Sequence, residues 1–296
     1  MQLKRRTLLS GLAASAAVPF MSAVQAKQAD ADTKWDKETD VLVIGYGGAG
    51  ACAAIEAHDN GSKVLIIEKM AQPGGNTAIS SGGFMVPQDG PTALKYLTAT
   101  YDLANSEKDD ELLNIESNRC RKFRYRCSLC LTTYTAAALL NTFCKEIMGV
   151  KDWMTGLKEG TELWVYGHAG FQNLPGWEVI DKYRVRGKKR SGDCLFDLYR
   201  YAVEEKRNIP VMLETPAVQL IQKDGQVVGA VASNNGKNIN IKVNKAVILT
   251  TGGYEFDPES LRTYAQGENY HALGNPGNTG DGLRMAQSMG ARLWHM

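Results

Sequence analysis

An α/β fold is what this sequence predicts: a parallel sheet begun early in the chain, with a small antiparallel β-meander inserted into it later. Three observations carry that reading. Asp40-Val-Leu-Val-Ile44 is apolar and β-branched, ends in Gly45-x-Gly47-x-x-Gly50, and leads through a helix-like stretch to a second apolar run, Val64 to Ile67. Short β-rich runs between Val211 and Val243 are separated by Asp224-Gly225 and Asn234-Asn-Gly236, residues that suit hairpin turns. Ala246-Val-Ile-Leu-Thr250 is another continuous apolar run, as expected of a strand buried on both faces.

Taken in order, residues 1–26 stand apart. Lys4-Arg5-Arg6 precedes a short apolar segment reaching Phe20, and Val24-Gln25-Ala26 supplies small residues for cleavage. This is the plan of a signal peptide, and the adjacent arginines point to the twin-arginine route, hence to an exported, periplasmic or extracytoplasmic protein. A Sec signal or a basic tail is the alternative. Removing residues 1–26 takes away three positive charges and no negative ones, so the formal +2 becomes −1. A near-neutral chain argues against a general affinity for nucleic acid. No stretch has eighteen consecutive apolar residues, so membrane contact is expected only transiently, during export. The 44% hydrophobic and 22% charged residues suit a soluble globular protein, and 296 residues suffice for one large domain or two smaller ones. We assign 27–37 as a polar lead-in and 38–296 as the first, incomplete segment of a nucleotide-binding domain, anomalous over 115–135.

The βαβ stretch has a definite chemistry. Gly45 permits the tight turn, Gly47 lets a pyrophosphate approach the backbone, and Gly50 lets the helix from Ala51 to His58 pack closely on the strand. The helix start offers N–H groups and a positive dipole end to phosphates. Glu68 ends the second strand eighteen residues past Gly50, where a carboxylate accepts from ribose hydroxyls. That acid favours FAD or NAD over NADP. The loop Pro73-Gly74-Gly75-Asn76-Thr77-Ala78-Ile79-Ser80-Ser81-Gly82-Gly83 follows, with few side chains to obstruct a phosphate or a flat ring.

These residues together resemble the FAD-binding flavoprotein subunits of the fumarate reductase and succinate dehydrogenase group. The resemblance is closest to its soluble exported branch of flavocytochrome fumarate reductases, urocanate reductases and related enoate reductases. It implies a Rossmann-like FAD-binding domain with the β-meander inserted, the substrate clamp domain being missing from this stretch. It implies that Gly45, Gly47, Gly48, Ala49 and Gly50 hold the pyrophosphate, and that Glu68, followed by Lys69, holds the adenosine ribose. Gly75, Asn76, Thr77, Ser81, Gly82 and Gly83 would lie along the pyrophosphate and flavin. Val218 would sit near the adenine, Thr251, Gly252 and Gly253 would pass close to the cofactor, and Asp281 would contact FAD. From the residues alone, Val218 is equally a strand core residue; Asp281 could serve only as a helix cap, but the glycines around it favour the contact with FAD.

The resemblance breaks at about 115–135. There the family has an amphipathic helix, whereas this chain reads Asn118-Arg-Cys-Arg-Lys-Phe-Arg-Tyr-Arg-Cys-Ser-Leu-Cys130, basic and without a period. A local frame error, an unpaired surface segment and a metal site built on Cys127-x-x-Cys130 are the three accounts, in that order; we assign no metal. Cys52 and Cys194 read as core or surface thiols. Trp164, Tyr166 and Trp177 read as loops over the sheet, and Lys182 to Arg190, with six Lys/Arg in nine residues, as a solvated loop able to attract an anionic substrate or an acidic electron donor.

For the chemistry, the resemblance implies hydride transfer from FAD N5 to an unsaturated carboxylate such as fumarate or urocanate. Electrons would come from a separate cytochrome, quinol dehydrogenase or FMN domain. The substrate-binding His and the proton-donating Arg are expected downstream of Met296, so no catalytic residue is assigned here and little activity is expected of this stretch alone. His58, His168, His271 and His295 fall in no triad or metal spacing. A 3-ketosteroid dehydrogenase-like or aspartate oxidase-like flavoprotein, a non-catalytic FAD-binding remnant and an NAD-dependent dehydrogenase are the alternatives.

Overall fold

The computed structural model describes residues 26–30, 33–105, 139–168, 171–265 and 271–293. The proposed export signal through Gln25, the whole of the anomalous 115–135 stretch with Cys120, Cys127 and Cys130, and His295 lie outside these. The first strand of the motif, β2 (Lys37–Ile44), follows a two-residue strand β1 (Lys27–Gln28) in the lead-in. Helix α1 (Gly48–Asp59) and β3 (Val64–Ile67) complete the βαβ unit, with β2 and β3 parallel and Val41 opposite Val64. The continuous apolar run arises because β2 is covered on both sides. Val41 and Val43 pack under α1 with Ala51, Ala54 and Ile55, while Leu42 and Ile44 face the opposite layer with Ile241, Val243 and Met285.

The meander comprises β8 (Ala217–Lys223), β9 (Gln226–Asn234) and β10 (Lys237–Leu249). Both two-residue turns place their central residues in the left-handed region (Asp224 φ 51°, Gly225 78°; Asn235 50°, Gly236 74°), matching the twist of the strands they join. The runs 239–243 and 246–250, read above as two strands, largely form one. β10 pairs antiparallel with β9 through Lys242, then continues parallel to β2 past an irregularity between Val243 and Ala246. Val211 begins a second departure. β7 (Val211–Met212) does not join the meander but lies parallel to β3 at the far edge, giving the order β1-β8-β9-β10-β2-β3-β7.

A separate antiparallel sheet, absent from the sequence reading, contains β4 (Phe84–Pro87), β5 (Leu163–His168) and β6 (Ile180–Val185) in the order β4-β6-β5. Trp164 and Tyr166 are thus strand residues rather than loop residues, and the first part of the basic run is β6. Other helices are α2 (Gly75–Ile79), α3 (Gly90–Asn105), α4 (Val150–Gly156), α5 (Ser191–Arg200), α6 (Pro258–Tyr264) and α7 (Asp281–Ser288). A π-helical turn, Tyr201–Glu205, extends α5. Among the described residues no helix is long and apolar enough to cross a membrane, and no cluster of His, Cys, Asp or Glu is arranged for a metal.

Candidate cofactor site

The parallel strands β2, β3 and β10 end together at Ile44, Ile67 and Leu249, and a cavity of about 280 Å³ opens at those ends. This is where an open α/β sheet leaves a crevice, because the connecting chains diverge to opposite faces. Backbone forms the wall on one side. Gly45, Gly47, Gly48 and Gly75 line the space with no side chain between the main chain and a ligand, and Ala49 adds only a methyl. A Cβ at Gly47 would come no nearer than 3.6 Å to any other residue, so glycine there keeps the cavity itself open.

Gly50 acts differently. A Cβ on it would overlap the Gly45 carbonyl oxygen and lie 2.9 Å from Thr250 Oγ1, so this glycine lets α1 sit against the end of β2. It does not line the cavity; it sets the position of the residues that do.

Glu68 lines the same cavity and organises the turn above it. The Tyr46 N–H donates to Glu68 Oε2 at 2.7 Å and the Met70 N–H to Oε1 at 2.8 Å. Each carboxylate oxygen keeps a further lone pair for a ribose hydroxyl. Tyr46 also binds the following loop, since its carbonyl accepts from the Gly74 N–H at 2.8 Å. Its ring is fully buried edge-on to Phe196, and its hydroxyl donates to Glu204 Oε1 at 3.1 Å. Burial, with the Glu204 charge and hydrogen bond, holds this phenol well above its ordinary pKa, so it stays a neutral donor.

Across the cavity, Thr77 Oγ1 accepts from the Gly48 N–H at 3.0 Å. Asn76 accepts from the Asn275 N–H at 2.7 Å and donates to Glu255 Oε1 at 3.0 Å, and Asn278 donates to the same oxygen at 2.6 Å. Glu255 therefore clasps residues 76, 275 and 278 together, although they are far apart in sequence. Burial pushes its carboxyl up, but hydrogen bonds from Asn278, its own N–H and Asn76 outweigh that and leave it below its ordinary value. A depressed folded pKa gives stability that is whole above the unfolded value and is lost as pH falls through the folded one. Between about pH 6 and about pH 3, Glu255→Gln is expected to lose less thermal stability than wild type, measured by melting across that range. Equal acid sensitivity would remove the clasp from the account.

Asp281 stands in the first turn of α7, after Gly280 as the cap. Lys69 Nζ donates to Asp281 Oδ2 at 2.5 Å and to Thr279 Oγ1 at 2.8 Å, while Arg284 donates to Asp281 Oδ1 at 2.8 Å. Both Lys69 and Asp281 line the cavity, as do Asn76, Thr77, Thr251 and Gly252.

The remaining expected residues lie outside it. Gly253 abuts the Glu255 carboxylate. Ser81 is exposed, Gly82 packs on the backbone of Ser191 and Gly192, and Gly83 packs under the Tyr166 hydroxyl. Val218 is 44% exposed on β8, whereas Thr215 and Ala217 line the cavity. Alternation along the strand places the inward side chain one residue earlier. Sequence reasoning also passed over Met70, Asn275, Gly277, Asn278 and Met285 as lining residues. Asn275 to Asn278 sit in the glycine-rich stretch that leads to Asp281, whose glycines were the signal; Met285 carried no such signal.

A backbone wall of glycines and an acid at the ends of parallel strands are what a dinucleotide-binding protein of the α/β class presents to phosphates and ribose. The family follows from comparison: the model of the FAD binding domain matches residues 40–296, so the chain belongs to that family and its cofactor is FAD. The glycine wall, Glu68 and the Asn76–Thr77 segment fit that group. Over 260 residues the chain is 29% identical to the fumarate reductase (cytochrome) of Shewanella frigidimarina, covering 87% of this chain and 41% of that protein. It is 28% identical over 265 residues to the urocanate reductase of Eggerthella lenta, covering 88% of this chain and 39% of that protein. In fold it is similar to a 3-ketosteroid-Δ4-(5α)-dehydrogenase from Rhodococcus jostii RHA1, with TM-score 0.69, 21% identity, and 91% of this chain against 57% of that one. It is likewise similar to the open conformation of a flavocytochrome c3 fumarate reductase, with TM-score 0.65, 24% identity, and 86% against 41%. The chain spans about two fifths of the length of these curated relatives.

Proposed function

We propose that this chain is the FAD-holding part of an exported oxidoreductase that reduces the C=C bond of an α,β-unsaturated carboxylate, with electrons delivered by a separate donor. The observation that carries the reading is the union of the glycine wall, Glu68 and the Asn76–Glu255–Asn278 clasp around one cavity. Relatives support the substrate class, because fumarate, urocanate and acrylate, named in three of them, are all carboxylates bearing a C=C bond. The twin-arginine pattern at Arg5-Arg6 supports export. Bound FAD supplies the two-electron chemistry. This chain's residues hold its phosphates on backbone N–H groups, accept from its ribose at Glu68 and fix the loop over it through Asn76. The FAD-loaded protein carrying this chain is expected to oxidise reduced methyl viologen when given fumarate, urocanate or an arylacrylate. FAD-loaded protein that turns over no unsaturated acid overturns the reading.

A further inference from the structure

The basic run Lys182 to Arg190 takes no part in the cofactor site, and the fold changes its meaning. Asp181, Tyr183 and Val185 of β6 are buried, so Lys182 and Arg184 project from the opposite face, with Arg186 following just past the strand. Residues two apart on a strand lie about 7 Å from one another. Aromatic rings reach this face from the neighbouring strand: Trp164 pairs with Arg184 across β5–β6, and Tyr166 occupies the irregularity in that ladder. The Arg184 guanidinium lies 3.9 Å from the Tyr166 ring centroid and 6.0 Å from that of Trp164, and Arg186 lies 5.9 Å from Trp164. Stacking holds Arg184 in place, and among the described residues its buried Nε has no acceptor.

The charges are unevenly used. Lys189 pairs with Asp197 and Arg190 with Asp193, and the ion pair of Arg186 with Glu162, at 3.2 Å, is exposed on both sides. Among the described residues Lys182, Arg184 and Lys188 have no acidic partner. A row of cations this long exceeds one small carboxylate and matches a row of acids on another protein. The row also adjoins the cofactor segment. Tyr166 packs on Gly83, and Ser191, next after the run, packs on Gly82, six residues or fewer from the cavity-lining Thr77.

We propose that this β5–β6 face docks the acidic surface of an electron-carrier protein, from which two electrons pass to FAD while protons come from water. The proposal rests on the reading that a separate donor serves this flavoprotein. Complementary charge raises encounter rates and makes them salt-dependent. Its test is stopped-flow reduction of the FAD-loaded protein, without substrate, by reduced flavodoxin as an acidic carrier probe and by reduced methyl viologen as a small cationic one. The flavodoxin rate is expected to fall about ten-fold between 20 and 300 mM NaCl. In Lys182→Glu/Lys188→Glu, which alters only solvent-side charges, it is expected to fall by a similar factor at low salt and lose its salt dependence, with the viologen rate within about two-fold of wild type. Arg184→Gln, which keeps a planar side chain over Tyr166, is expected to do the same more weakly. A flavodoxin rate indifferent to salt and to these substitutions overturns the proposal. So does tight binding of single-stranded DNA at physiological salt that the double substitution abolishes while leaving the flavodoxin rate unchanged. Turnover of unsaturated acids with methyl viologen reports separately on the proposed function.

Discussion

Gly50→Val protein is expected to emerge from purification colourless, with FAD affinity reduced at least about 100-fold, equivalent to about 2.8 kcal/mol. The added Cβ overlaps the Gly45 carbonyl and crowds Thr250 Oγ1, and neither neighbour can yield. The carbonyl is main chain at the end of β2, and Thr250 is held by hydrogen bonds to the Ile44 and Gly45 carbonyls at 3.1 and 2.9 Å. Relief requires α1 to move away from the sheet, which carries Gly47, Gly48 and Ala49 out of the cavity wall. Overpacking of this kind costs about 1–3 kcal/mol of stability in addition. Gly156→Ala is the control, since a Cβ there meets nothing within 4 Å and the backbone needs no positive φ. That variant is expected to stay yellow and at least as stable as wild type. FAD at full stoichiometry in folded Gly50→Val would show that the close contact of helix and strand does not govern binding.

Glu68→Ala carries the second large effect. Two part-buried N–H groups, of Tyr46 and Met70, lose a charged acceptor, and each such loss is worth about 1.5–3 kcal/mol. The proposed acceptor for the FAD ribose goes with it. Because Tyr46 also holds Gly74 through its carbonyl, release of its N–H loosens the second loop along with the first. FAD affinity is expected to fall about 100-fold and stability by about 2–4 kcal/mol, read by FAD titration and by thermal melting with and without FAD. Glu68→Gln is expected to fall between, since its single carbonyl oxygen can accept from one N–H while its amide nitrogen confronts the other. Wild-type affinity in Glu68→Ala would take this carboxylate out of the cofactor site.

The parts legible in the sequence are those where local chemistry and spacing coincide. Val64 to Ile67 is a strand with the bounds its apolar run gives it, and both two-residue hairpin turns fall at the Asp-Gly and Asn-Gly pairs. Turn geometry there depends on which residues tolerate a positive φ, a property of the residue itself. That Gly45, Gly47 and Glu68 meet at one cavity is legible for a similar reason, because within one βαβ unit their spacing along the chain fixes where they fall at the strand ends.

Pairing partners were not legible. Val211–Met212 has the composition of a meander strand and joins the parallel edge beside β3, since strand composition does not specify a neighbour. Residues 163–168 and 180–185 were obscured by aromatics, glycines and charges, and become strands because each covers the other and β4. Val218 illustrates the cost of one residue of register: the side chain next to a lining position points away from the cavity.

By itself, then, the sequence determined the βαβ unit, the class of cofactor and much of the backbone that lines the cavity at the strand ends. Only the tertiary structure decided that Lys69 reaches Asp281, that Glu255 joins Asn76 to Asn278, and that a basic run forms one face of a sheet with Trp164 and Tyr166. The physical reason is reach. A glycine's freedom or a strand's apolarity acts within a few residues, whereas an ion pair spanning 212 positions exists only once packing has brought its two ends together.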